Sequence, residues 1–113
     1  MADCFGLGRS ISAIQCGLLE AGGRLWGDRP RGAKISFGMV RGAAERAASA
    51  LPPRLKKAAM KIERDAAKLQ EMTKGKISTL TKNKISVEIM RLESESSKLA
   101  EQARQSCKPR RSK

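Results

Sequence analysis

The chain has 113 residues and a formal net charge of +13, so it is long enough for one modest domain and is strongly basic. A balance this basic favours polyanionic partners, which are nucleic acid, an anionic membrane surface or an acidic protein. Histidine and tyrosine are absent, which removes the commonest general acid and base at neutral pH. We therefore predict a protein that is not an enzyme and uses no cofactor.

The cysteines and the hydropathy pattern exclude further classes of protein. Cys4, Cys16 and Cys107 form no CxxC pair, and three thiols without histidine do not make a zinc site, so no metal is predicted. Their odd number and wide spacing are atypical of a secreted disulfide framework. Asp3 and Glu20 argue against a cleavable signal, and no apolar run is long enough to span a bilayer. The expected location is the reducing cytoplasm.

The first 52 residues differ in composition from the rest. Nine of the ten glycines fall within residues 1–42. Because glycine loses the most backbone freedom when it is ordered, this composition predicts a flexible, loop-rich basic region over residues 1–52. One short helix is expected within it, over residues 10–21, with Ser10 as N-cap and a shared apolar face made by Ile11, Ile14, Leu18 and Leu19.

Arginines and aromatic side chains alternate with glycines between residues 22 and 46. Such side chains on a flexible backbone can stack on unpaired bases and pair with phosphates, so Trp26 and Phe37 are candidates for base stacking. The competing interpretation is that both rings pack on the helices as apolar plugs. Residues 42–51 are alanine-rich and helix-prone until Pro52 and Pro53 interrupt them.

The strongest pattern begins at Pro53, which is well placed as the first residue of a helix. Apolar and small residues then recur at helical spacing in two phases: Leu55, Ala59, Ile62, Ala66 and Leu69, and later Ile85, Ile89, Leu92, Ser96, Leu99 and Ala103. The phase is lost between Thr73 and Lys84, where Gly75, Asn83 and several hydroxyl residues disfavour a helix interior. Either the chain turns here into an antiparallel hairpin, or one long helix continues with a phase slip.

The sequence therefore predicts an all-α fold: a helical hairpin or coiled coil over residues 53–106, preceded by the glycine-rich region and followed by a basic tail, 107–113. Two apolar seams on a module this small predict self-association, as a homodimer that forms a bundle of four helices from two chains. The residues expected to mediate it are Leu55, Ile62, Leu69, Ile85, Ile89, Leu92 and Leu99.

Cations recur on the side of the first helix opposite its seam, at spacings of three and four residues. We call Arg54, Lys57, Lys61, Arg64 and Lys68 the cationic ridge. Two further clusters lie in the turn, Lys74, Lys76, Lys82 and Lys84, and in the tail, Lys108, Arg110, Arg111 and Lys113. Phosphate contacts from such clusters give strong salt dependence and little sequence preference.

The favoured hypothesis is a non-enzymatic nucleic-acid-binding accessory or regulatory protein, which binds RNA in preference to DNA or binds duplexes without sequence preference. Small basic helical proteins of this type are frequent in viruses and mobile elements, although this is an analogy. A coiled-coil adaptor that recruits a protein partner is the alternative, and attachment to a membrane surface is the least favoured. The run Lys108–Arg111 would also serve as a nuclear import signal in a eukaryotic cell.

Overall fold

Helices make up almost all of the chain that the computed structural model describes, which is residues 4–27 and 32–107, with side chains described for 6–27 and 32–105. The elements in chain order are α1 (Cys4–Leu25), α2 (Gly32–Ala50), α3 (Pro53–Met72) and α4 (Thr79–Cys107). Those ranges contain no β-strand, so the all-α prediction is confirmed. None of the helices in these ranges is both long and apolar enough to cross a bilayer.

Two prolines set the joint between α2 and α3. Pro52 is extended, with φ −61° and ψ 157°, and its carbonyl accepts the backbone N–H groups of Leu55 and Lys56 at 3.0 and 2.8 Å. Pro53 follows as the first residue of α3, where its missing N–H leaves no helical hydrogen bond unmade. This boundary is the one that the sequence predicts.

Of the two alternatives left open for residues 53–106, the chain adopts the hairpin, because α3 and α4 are separate helices that pack on each other. Thr73 ends α3, and its hydroxyl donates to the Gln70 carbonyl oxygen at 2.7 Å. Gly75 then adopts φ +72°, the left-handed conformation that glycine tolerates best. Ser78 caps α4, since its hydroxyl oxygen accepts the Thr81 backbone N–H at 3.2 Å.

The four helices form a ring in which α1 neighbours α2 and α4, and α3 neighbours α2 and α4. Helices α1 and α3 therefore lie on one diagonal, and α2 and α4 on the other. Side-chain hydrogen bonds join all four neighbouring pairs in the described part of the chain: Arg24 to the Gly32 carbonyl oxygen at 3.1 Å, Gln15 to Ser97 at 3.3 Å, Trp26 to Ser86 at 2.7 Å, Arg41 to Glu63 at 2.8 Å, and Arg91 to Asp65 at 3.5 Å. Their residue numbers show that each helix runs antiparallel to its neighbour.

The first half of the chain differs from the loop-rich region that its glycines predict, because residues 4–25 and 32–50 are helical. The expected short helix 10–21 lies inside α1, and the alanine-rich stretch 42–51 lies almost wholly inside α2. Tertiary packing has overridden a weak local propensity here. The composition identified residues that weaken an isolated helix, but it did not reveal that α2 approaches α1 closely at one of them, Gly17.

Gly17 shows how glycine serves packing between α1 and α2. A Cβ added there would lie 2.7 Å from Cγ2 of Val40 and 3.2 Å from the carbonyl oxygen of Ser36. No side chain fits that space unless α2 moves away. The glycine therefore permits a close approach of two helices rather than a flexible segment.

Both predicted seams are buried, but their partner is the first half of the same chain. The seven residues predicted to mediate self-association (Leu55, Ile62, Leu69, Ile85, Ile89, Leu92 and Leu99) are each no more than 7% exposed. They join residues of α1 and α2 in one core, so the four-helix bundle is formed by one chain. Neither seam is left without a partner, so the seams do not require self-association.

Candidate nucleic-acid interface

The cationic ridge lies on the solvent side of α3, because the seam on the opposite side holds that helix against the core. All five of its side chains, Arg54, Lys57, Lys61, Arg64 and Lys68, are exposed. Fourteen residues of α-helix separate the first from the last, which corresponds to about 21 Å. The ridge is thus a straight row of cations on a rigid support.

Three arginines of the bundle are neutralised by acidic neighbours, whereas the five ridge cations are not within the described residues. Arg24 pairs with Glu20 at 2.6 Å, and Arg41 pairs with Glu63 at 2.8 Å. Arg91 contacts Glu88 at 2.7 Å and Asp65 at 3.5 Å. Among the residues whose side chains the structure describes, no carboxylate lies within ion-pair distance of any of the five ridge cations.

The predicted lysine cluster of the turn divides into paired and unpaired members. Lys74 pairs with Glu71 at 2.8 Å, and the hydrogen bond and charge of Lys74 lower the pKa of that carboxyl group. The ammonium of Lys82 lies 5.6 Å from the centre of the Trp26 ring, a cation–π arrangement. Lys76 and Lys84 are exposed, without an ion pair in the described part of the chain. The tail cluster, Lys108, Arg110, Arg111 and Lys113, lies outside the described residues.

The two aromatic candidates have different positions. Phe37 is fully buried in the core, so the prediction that it stacks on bases is wrong, and the competing interpretation of an apolar plug is correct for it. Trp26 is 50% exposed at the end of α1, and its indole N–H donates to the Ser86 hydroxyl at 2.7 Å. The Lys82 ammonium lies over one face of this ring. Base stacking by Trp26 stays a prediction.

Sequence periodicity missed the polar groups that lie beside the ridge on α4. Gln102 and Gln105 line a cleft of about 550 Å³ together with Arg54, Leu55 and Ala58. Amide side chains can donate to phosphate oxygens and bind base edges, so they extend the surface at the Arg54 end of the ridge. Nothing in the sequence pairs residue 54 with residue 102, because only the antiparallel packing of α3 and α4 brings them together.

Within residues 6–27 and 32–105 no three histidine, cysteine, aspartate or glutamate side chains cluster closely enough to hold a metal ion. No family model, curated protein or solved structure matches this chain. The cationic ridge and its surroundings are therefore the basis for a functional proposal.

Proposed function

We propose that the protein is a non-enzymatic nucleic-acid-binding accessory or regulatory protein, which binds the phosphate backbone with the cationic ridge. The observation that carries this proposal is that five exposed cations on one helix lack acidic partners among the described residues. Like charges at i, i+3 and i, i+4 destabilise a helix by a few tenths of a kcal/mol per pair. Such a row weakens α3 slightly, so helix stability does not account for it.

The ridge is long enough to contact several phosphates. Each strand of B-form DNA carries one phosphate per about 3.4 Å of the helix axis and winds around that axis, so a straight row of about 21 Å can follow a strand for a few phosphates or cross a groove. Because these contacts reach the backbone and not the base edges, binding should show little sequence preference.

The test is the salt dependence of duplex binding by the full chain after nuclease and high-salt treatment have removed co-purified nucleic acid. Each phosphate contact contributes about −0.9 to the slope of log affinity against log salt concentration for a DNA duplex. Replacing Lys57, Lys61, Arg64 and Lys68 by glutamine should therefore reduce the steepness of that slope by about 3 to 4.

The matched control removes the same net charge elsewhere, by glutamine at Lys34, Arg46, Lys98 and Arg104, which are exposed and unpaired within the described residues. The reduction in slope should be less than a third as large in the control as in the ridge variant. The control loses only long-range electrostatic attraction and no direct phosphate contact. Equal losses in the two variants, or an unchanged slope in the ridge variant, would overturn the assignment of the ridge.

RNA and DNA duplexes of equal length should be compared in the same experiment. Of the two rings that are candidates for stacking on unpaired bases, Phe37 lies in the core, so Trp26 alone remains for such a contact. Tighter binding to RNA would support a contribution from Trp26 or from contacts to 2′-hydroxyl groups. The alternative function, an adaptor that recruits a partner through the seams, has lost support because those seams are buried.

A further inference from the structure

One side of the bundle, formed by α1 and α4, groups four of the nine large apolar residues that are exposed in the described part of the chain. Leu19 of α1 is 66% exposed, and Trp26, which directly follows α1, is 50% exposed. On α4, Val87 is 66% and Met90 68% exposed. These side chains contribute little to the core, and large apolar residues grouped on one surface mark sites of association.

The same side carries no charge over its central part. We define the α1–α4 face as the exposed, uncharged residues that point away from the core there: Ser12, Cys16, Leu19 and Gly23 on α1 with Trp26 directly after it, and Asn83, Val87, Met90, Ser94 and Ser97 on α4. The half-buried Lys82 and Glu93 border it along its length, and the exposed Arg9, Lys98, Glu101 and Arg104 border it at the end where α1 begins and α4 ends. Depletion of charge together with exposed aromatic and methionine side chains is typical of the central part of a protein–protein interface.

Packing within one chain does not account for this composition. A Cβ added at Gly23 would meet no atom within 4 Å, so the single bundle does not require a glycine there. Glycine in a helix interior is less favourable than alanine by roughly 0.8 to 1 kcal/mol. A glycine at an open, outward position therefore points to an approach from outside the bundle.

We infer that a second copy of this chain covers the α1–α4 face. The distribution of charge selects that partner, because two chains of net charge +13 repel each other most where cations are exposed and least where they are absent. Helix α1 lies diagonally across the bundle from α3, which carries the ridge. The two copies can thus associate without bringing their ridges together.

The order of residues along α1 favours an antiparallel arrangement around Cys16. Before Cys16 the face holds the small Ser12, with the exposed Gly8 one turn earlier on the same side of the helix, and after Cys16 it holds the bulky Leu19 and Trp26. A two-fold axis near Cys16 brings the bulky half of one α1 onto the small half of the other. The pattern is complementary to itself, as an isologous interface requires.

The available area is sufficient for a stable dimer. Helix α1 has 22 residues and is about 33 Å long, and two helices packed 8 to 10 Å apart present a face about 20 Å wide. That is roughly 650 Å² per chain, or about 1,300 Å² in total, which lies within the range of about 1,200 to 2,000 Å² for specific complexes.

The experiment measures the oligomeric state of the full chain by sedimentation velocity over a range of concentrations, after removal of nucleic acid. The unsubstituted chain is expected to be a dimer, with a dissociation constant that does not rise with salt, because screening weakens only the repulsion. Nucleic-acid binding should weaken with salt whereas dimerisation should not, so either proposal can fail without the other. A monomer at every concentration of protein and salt would overturn the proposed dimer.

Matched variants locate the interface. Leu19→Glu places a charge on the α1–α4 face, and Ile35→Glu makes the same type of change at a residue of α2 that is 65% exposed. Leu19→Glu is expected to raise the dimer dissociation constant at least about tenfold, which corresponds to 1.4 kcal/mol. Ile35→Glu is expected to leave it within about twofold. The reverse result would overturn the assignment of this face.

Cys16 supplies a test of the antiparallel arrangement, since its side chain is exposed at the centre of the face. In the full chain with Cys4→Ser and Cys107→Ser, a short bis-maleimide should link the Cys16 thiols of two copies into a covalent dimer. Adding Leu19→Glu should abolish that product. A dimer in sedimentation whose Cys16 thiols fail to cross-link would overturn the two-fold axis proposed here.

Discussion

Helix α2, in the first half of the chain, and the α3–α4 hairpin use different packing chemistry, whereas α1 resembles the hairpin in packing mainly with leucine and isoleucine. In residues 53–107 the core positions hold leucine and isoleucine at regular spacing, with occasional alanine. In residues 4–50, helix α2 contributes mainly small residues to the core: Ala33, Ser36, Ala43, Ala44, Ala47 and Ala48. Large apolar residues at helical spacing predict a buried helix face from the sequence alone. Small residues indicate such a face only when the helix that packs against them is known.

The largest expected effect tests whether the first half is as well ordered as the second. Phe37→Ala should lower the free energy of unfolding by about 3 to 5 kcal/mol, and Leu92→Ala by about 2 to 5 kcal/mol, since both side chains are fully buried. Chemical denaturation should show one cooperative transition for each variant. A flexible first half would instead leave stability unchanged in Phe37→Ala, which would contradict the single core.

A smaller effect tests the close contact between α1 and α2. Gly17→Ala should destabilise the protein by about 1 to 3 kcal/mol, because the new methyl group overlaps Val40 and the Ser36 carbonyl oxygen. Gly42→Ala is the matched control, since its Cβ would come no closer than 3.6 Å to a described atom, the end of the flexible Arg46 side chain. That change should stabilise α2 by roughly 0.5 to 1 kcal/mol. Stabilisation by both substitutions would mean that the helices are not in close contact at Gly17.

Two buried serines, one in each half of the chain, differ in their hydrogen bonding. The Ser36 hydroxyl in α2 has no hydrogen-bond partner among the described residues, whereas the Ser96 hydroxyl in α4 donates to the Glu93 carbonyl oxygen at 2.9 Å. Ser36→Ala should raise the free energy of unfolding by about 1 kcal/mol, because an unsatisfied buried group is removed. Ser96→Ala should be neutral or slightly destabilising in the same denaturation experiment. A loss of stability in Ser36→Ala would indicate that its hydroxyl is bonded in solution.

The smallest effect concerns pH and the exposed Glu71–Lys74 pair. Lys74 lowers the pKa of Glu71 in the folded protein, so the pair stabilises the fold at pH above the unfolded-state pKa, and this contribution is lost as pH falls through the folded-state pKa. A chemical-shift titration should give Glu71 a midpoint below that of an ordinary glutamate. Lys74→Gln should move the midpoint upward; an unchanged midpoint would show that the pair does not persist in solution.

The fold of the second half could be predicted because each local signal agrees with the packing. The proline pair starts α3, the lost phase and Gly75 mark the turn, and the two seams are buried as their spacing indicates. The periodicity could not predict which part of the chain packs against those seams. Several residues of α1 share a face in the sequence, but the alanine face of α2 gives no contrast with its surroundings.

The candidate site follows the same division. The ridge could be predicted because its cations repeat at helical spacing, and their exposure matches the pattern. The position of Phe37 could not be predicted, since one aromatic residue in a glycine-rich segment fits both a core position and an exposed one. The glutamines beside Arg54 were missed because contacts between residues about 50 positions apart leave no trace in local spacing.

The ring of helices also has a consequence for how fast the protein folds and unfolds. Three of its four helix–helix contacts join consecutive helices, so they can form after short loops close. Only α1 against α4 requires distant segments to meet, with Gln15 and Ser97 separated by 82 positions and Trp26 and Ser86 by 60. We expect this contact to form after the folding transition state. Removing the Trp26–Ser86 hydrogen bond should then accelerate unfolding and leave the folding rate almost unchanged.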